Sequence, residues 1–99
     1  MLKKPRILVV GSFMMDLIAS AERAPNAGET VIGKKFTTAP GGKGVNQAVQ
    51  CARLGAHVTM AVRVGDDAFG RLLVDTLARA GIETRGIRVD PTVFTTLAF

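Results

Sequence analysis

The run Gly41-Gly42-Lys43-Gly44 is the part of the sequence best suited to chemistry. Consecutive glycines ahead of a helix let backbone N–H groups approach a ligand closely, and the helix N-terminus adds a partial positive charge. The same run also fits a plain loop-to-helix turn. Asn46 falls in the first turn of the helix that follows, and Asp16 falls just past the first apolar strand. Ligands of α/β sheets sit beyond the carboxyl ends of the strands. An Asp and an Asn placed there suit polyol hydroxyls, because the carboxylate accepts hydrogen bonds and the amide both donates and accepts. Taken alone, Asp16 also fits a turn.

Two standard phosphate motifs are excluded. A Walker A loop needs Ser or Thr after its lysine and a glycine five residues before its second; here Gly44 follows Lys43 and Thr37 stands in the earlier place. A dinucleotide fingerprint through Gly42 and Gly44 needs Gly or Ala at position 47, where Gln47 stands. The other reactive residues have simpler readings. His57 stands without a metal partner in sequence, and Cys51 sits among small residues as an inert thiol. Asp66-Asp67 fits a strand-end turn and a helix cap better than a metal site. Met14 and Met15 fit either a pocket wall or core filling. Arg63 faces either the cleft or solvent.

The elements that must position these residues follow from the pattern. Ile7-Leu8-Val9-Val10 is apolar at every position, which predicts a strand covered on both faces, as in a parallel sheet between helix layers. Residues 16–20 read as a second, shorter strand. Residues 24–28 are a turn by their Pro, Asn and Gly content. Residues 29–39 alternate loosely as a one-sided antiparallel flap, with a hairpin or bulge at Gly33-Lys34. Pro40 and the glycines break that pattern. Val45, Ala48, Val49 and Ala52 then mark one face of a helix stopped by Gly55. Val58, Met60, Val62 and Val64 alternate as a strand. Phe69, Leu72, Leu73, Leu77 and Ala80 line a second helix that Asp67 can cap and Gly81 ends. Residues 87–89 are a short strand, and residues 93–99 are extended. Alternating β and α elements predict an α/β sheet with right-handed crossovers.

The chain has 99 residues, 47% of them hydrophobic and 21% charged, enough for one globular domain and too apolar for a disordered tail. One cysteine excludes an intramolecular disulfide framework and a multi-cysteine zinc site. The net charge of +5 points to anionic partners, but the basic residues are scattered apart from Lys3-Lys4, Arg6 and Lys34-Lys35. Nucleic acid and membrane are therefore not expected as partners. Residues 1–21 imitate a secretory signal, with a basic start, an apolar run and Ala19-Ser20-Ala21. Pro5, Gly11 and Asp16 interrupt it, and a strand at residues 6–10 is the competing reading.

Several segments in order carry a family resemblance. They are Val9-Val10-Gly11-Ser12-Phe13-Met14-Met15-Asp16, Pro25-Asn26-Ala27-Gly28-Glu29-Thr30 and Gly41-Gly42-Lys43-Gly44-Val45-Asn46-Gln47-Ala48. Arg53-Leu54-Gly55-Ala56, Val64-Gly65-Asp66-Asp67 and Phe69-Gly70 continue the series. Together they resemble the N-terminal part of a ribokinase-type sugar kinase of the PfkB carbohydrate kinase family, from about Ile7 onward. The resemblance implies an αβα sandwich with a small β-sheet lid, whose elements would lie near residues 16–20, 29–39 and 93–99. It places Asp16 on sugar hydroxyls. Gly41, Gly42 and Lys43 would line the sugar site, the last two through backbone groups, and Asn46 would bond another hydroxyl. Ribokinases proper usually carry Asn where Met14 stands, which leaves a sugar, related polyol or nucleoside as substrate without favouring ribose.

The resemblance also implies that the catalytic base lies downstream of residue 99. The ATP site, the acidic motif associated with Mg²⁺ and a monovalent-cation site are expected there too. The chain alone is expected to be inactive, the front third of a larger cytoplasmic enzyme cut within a lid strand. A homodimer formed through the lid is a further implication. The rival readings are a stand-alone sugar- or nucleoside-binding module and a basic nucleic-acid-binding domain; the latter lacks clustered arginines and a Tyr/Phe stacking array.

Overall fold

The computed structural model describes residues 3–99. In chain order the elements are β1 (Arg6–Val10), β2 (Met14–Ser20), β3 (Lys35–Gly41), α1 (Lys43–Arg53), β4 (His57–Gly65), α2 (Ala68–Arg79), β5 (Ile87–Asp90) and β6 (Thr96–Ala98). They form two three-stranded sheets, β1-β4-β5 and β3-β2-β6.

The first sheet is parallel. Arg6 lies opposite His57 and Val10 opposite Ala61; on the other side of β4, Val62 lies opposite Ile87 and Gly65 opposite Asp90. Parallel neighbours need a crossover, and α1 and α2 supply the two. Both steps move across the sheet in the same direction, so right-handed crossovers lay both helices on one face. The alternation along β4 records this. Val58, Met60, Val62 and Val64 are buried with Val9, Val45, Ala48, Leu73 and Leu77, whereas His57 and Arg63 are exposed.

That geometry corrects the expectation that β1 is covered on both faces. Leu8 is 62% exposed and Val10 is 76% exposed. No reversal of strand direction occurs in this sheet, so no crossover reaches its second face. A smaller correction concerns α2: its apolar face reaches full burial at Leu73 and Leu77, while Leu72 at the stripe's edge is 40% exposed. The segment that imitates a signal is divided between β1 and β2; its first two residues, Met1 and Leu2, lie outside the described ones.

In the second sheet, β2 pairs antiparallel with β3, from Met14 opposite Gly41 to Ser20 opposite Lys35. It pairs parallel with β6, from Met14 opposite Thr96 to Asp16 opposite Ala98. Strand β2 starts two residues before the expected position 16. Residues 29–34, read as the beginning of the flap, are not strand, because β2 ends at Ser20 and leaves them without a partner. The Lys34 N–H instead closes the loop on the Ser20 carbonyl at 2.6 Å. Strand β3 continues through Pro40 and Gly41, where the sequence pattern appeared to break. Proline is tolerated there because β3 is an edge strand with a free side. Within residues 93–99, only Thr96–Ala98 is strand. No helix among the described residues is long and apolar enough to cross a membrane.

Candidate functional site

Asp16 sits in the middle of β2, on the face it shares with Met14, and Ala39 and Gly41 of β3 occupy the matching positions opposite them. Its carboxylate leans over Gly41. A Cβ built on Gly41 would lie 2.6 Å from Asp16 Oδ2 and 2.9 Å from Asp16 Cγ. Any side chain at 41 would therefore displace the carboxylate. Among the described residues, the Asp16 side chain accepts no hydrogen bond within the protein, so its oxygens are left to a ligand or to water.

Gly42 turns the chain from β3 into α1 with φ of 104°, in the left-handed region that favours glycine. A Cβ there would also meet the Ser12 carbonyl at 2.8 Å. One turn on, Gly44 packs on the β1–β2 loop: its Cβ would lie 3.0 Å from Gly11 Cα. The N-terminus of α1 is thus pressed against the loop that leads into Asp16's strand. No side chain caps this end and its first turn holds no acidic residue, so its partial positive charge is uncompensated. The first helical bond runs from the Asn46 N–H to the Gly42 carbonyl at 3.1 Å.

Of the residues singled out from sequence, Met14, Asp16 and Gly41 form one cluster, and Gly42 joins it to the helix. Lys43 and Asn46 lie on the adjoining first turn with exposed side chains. Asn46 lines a groove of about 390 Å³ with Pro40, Val49, Gln50, Arg53 and Thr76. Met15 turns to the opposite side of β2 and is fully buried, the core filler of the two methionines. Cys51 is half-buried against the core, and His57 is exposed. Among the described residues no three His, Cys, Asp or Glu side chains converge as a metal site.

Asp90 and Asp67 each hold a lowered pKa for structural reasons. Asp90 is pushed down to about 2, chiefly by the Thr92 hydroxyl, with the Thr92 N–H and Arg63 adding to it. That pairing decides the orientation of Arg63, which reaches across to β5. Asp67 lies below the ordinary carboxylate range mainly because the Thr95 N–H donates to it. Asp67 also caps α2, accepting from the Gly70 N–H at 2.8 Å, as the sequence predicts. Its second partner, Thr95, lies 28 residues away and was not foreseen; the glycines at 65 and 70 that flank Asp67 were the one available signal.

This geometry coincides with that of known proteins. The model of the pfkB family carbohydrate kinases matches residues 4–99. The chain belongs to that family. It is 51% identical over 78 residues to the ribokinase of Bacillus subtilis, covering 79% of this chain and 27% of that protein. It is 41% identical over 85 residues to the deoxyribokinase of Salmonella typhimurium, covering 86% of this chain and 28% of that one. Its fold superimposes on Arabidopsis thaliana ribokinase complexed with ribose and ATP with a TM-score of 0.84 at 34% identity, covering 97% of this chain and 31% of that one. The chain thus spans less than a third of the length of these family members. The ribokinase-type α/β fold expected from the sequence is the one observed.

Proposed function

We propose that this chain is the acceptor-binding, N-terminal part of a carbohydrate kinase that moves the γ-phosphoryl of ATP to a sugar hydroxyl. The observation that carries the reading is the free Asp16 carboxylate poised over Gly41 beside the uncapped start of α1. The carboxylate can accept from two sugar hydroxyls, and the N–H groups at Gly42 and Lys43 can donate to sugar oxygens. Asn46 extends the same turn and adds a further partner. Phosphoryl transfer depends chiefly on positioning and charge stabilisation, so fixing the acceptor hydroxyl is the share of catalysis this part supplies.

Met14 shapes the preference among sugars. It faces the same side as Asp16 and offers only a weakly accepting thioether. A sugar edge with a missing hydroxyl therefore loses little there, in keeping with a deoxyribokinase among the relatives. The second sheet, with Ile18 and Phe36 exposed, is the surface through which two copies would pair. A cytoplasmic setting belongs to the same reading. ATP, Mg²⁺ and a monovalent cation are implied by the family. The described residues bring no three metal-ligating side chains together.

Titration of ribose and 2-deoxyribose into the ¹⁵N-labelled chain tests the reading. Amide shifts at residues 16 and 41–46, abolished by Asp16→Ala, are expected; their absence with both sugars overturns it. A coupled assay of the chain with ATP and sugar should show no turnover. Turnover above background would mean that the base lies within these residues.

A further inference from the structure

Within the segment Val64-Gly65-Asp66-Asp67 with Phe69-Gly70, Asp67 caps α2. The structure gives it a second task. Thr95, 6% exposed, is the buried polar side chain among the described residues, and it immediately precedes β6. Its N–H donates to Asp67 Oδ2 at 2.8 Å and its hydroxyl donates to Asp67 Oδ1 at 2.8 Å. The same hydroxyl accepts from the Gly65 N–H at 3.0 Å. Asp67 therefore spends one oxygen on both the cap and Thr95, and the other on Thr95 alone.

The flanking glycines are shaped to this arrangement. A Cβ on Gly65 would lie 2.5 Å from the Val93 carbonyl, 2.6 Å from Asp67 Oδ2 and 2.7 Å from Thr95 N. A Cβ on Gly70 would lie 2.3 Å from the Gly65 carbonyl and 3.2 Å from Thr95 Oγ1. The end of β4 and the start of α2, both in the core, thus close around one residue of the segment that feeds the second sheet.

Strand β6 has little else to hold it. It is three residues long, it is the edge of its sheet, and Leu97 is exposed. Yet its register matters, because Thr96 lies opposite Met14 and Ala98 opposite Asp16. A slip by one residue would turn every side chain of β6 to the other face.

We propose that Asp67 is a positioning residue: with Thr95 it clamps the start of β6 to the core, fixes β6 in register beside β2, and so holds Asp16 in place for the sugar. The last clause rests on the sugar-binding reading given above; the clamp itself does not.

Asp67→Ser separates the clamp from the cap, since serine caps a helix about as well as aspartate but is too short to reach Thr95. Thr95→Val removes the two hydroxyl bonds, to Asp67 Oδ1 and from the Gly65 N–H, while it keeps the Thr95 N–H bond and the cap; Thr95→Ser keeps all three bonds. Amide hydrogen exchange is followed residue by residue, with sugar affinity measured alongside. In Asp67→Ser and Thr95→Val, protection of the amides shared by β2 and β6 should fall by about tenfold or more while α2 keeps its protection. Sugar affinity should fall by about tenfold in both and return close to its original value in Thr95→Ser. Unchanged β2–β6 protection in Asp67→Ser, which removes both bonds to Thr95, overturns the clamp; if that variant does not fold, unchanged protection in Thr95→Val, which removes the hydroxyl bonds, overturns it instead. Lost protection with unchanged sugar affinity overturns the link to Asp16. Absence of sugar binding in the unsubstituted chain overturns the sugar reading instead, and the exchange data still decide the clamp.

Discussion

The two sheets have equal numbers of strands and opposite characters. The β1-β4-β5 sheet carries two helices and nearly all of the buried core, with Met60, Leu73 and Leu77 fully excluded from solvent. The β3-β2-β6 sheet is mostly exposed. Met15 is its fully buried side chain, and β3 is open to solvent over its first four residues. One sheet supplies stability and the other supplies the candidate ligand groups. Binding segments are drawn from the less stable parts of a fold, because a site that must admit a ligand cannot be sealed by packing. The second sheet is tied to the first at a few points: the Gly11–Gly44 contact, the turn at Gly42 and the Asp67–Thr95 clamp.

The largest test of this contrast is a pair of truncations. Leu77→Ala removes a fully buried side chain of α2 and should cost about 2–5 kcal/mol in urea unfolding. Phe36→Ala, in the exposed sheet, should cost no more than about 0.5 kcal/mol. Equal losses would break the division between a stabilising sheet and a dependent one. Next in size is Gly70→Ala. Its Cβ would meet the Gly65 carbonyl at 2.3 Å, and overpacking of this kind costs about 1–3 kcal/mol. A neutral result in the same unfolding assay would show that the junction is loosely built. Smaller again is Val10→Thr on the open face of β1, which should shift stability by less than about 0.5 kcal/mol while reducing self-association measured by sedimentation. A loss as large as that of Leu77→Ala would mean that the face is covered.

The more regular sheet was also the more legible one. The apolar run of β1, the alternation at Val58, Met60, Val62 and Val64, and the helical spacing from Val45 and from Phe69 each write their element locally. What they do not write is direction. An all-apolar β1 signals two covered faces, and only the order β1-β4-β5 reveals that one stays open. In the second sheet, boundaries are set by pairing rather than by composition. Residues 29–34 look like strand but have no partner, and Pro40 looks like a break but lies on an edge. Gly41 and Asp16 could be named from motifs, but their contact arises from cross-strand register. Thr95 was invisible because a lone threonine in an extended run carries no mark of a partner 28 residues earlier.

The smallest expected effect concerns acid, and it touches both sheets. Asp90 binds Arg63 across β4 and β5 within the core sheet, and Asp67 binds the segment that feeds β6. Both carboxyls titrate below their ordinary value of about 3.9, so each contributes stability that is present above that pH and declines as pH falls through the folded value. For Asp90 that decline runs from about pH 4 down to about 2. Its partner Arg63 is largely exposed, so the pair is screened, its contribution is small and it should shrink with added salt. Asp90→Asn should therefore flatten part of the acid limb in a series of urea midpoints between pH 5 and pH 2, and Asp67→Asn should flatten another part. The two differ in where the loss appears. Without Asp90 the β4 and β5 amides lose protection first; without Asp67 the β6 amides do, while the core sheet keeps its own. If acid instead releases both sheets together in the unsubstituted chain, the second sheet is no dependent attachment but an equal partner in one cooperative unit.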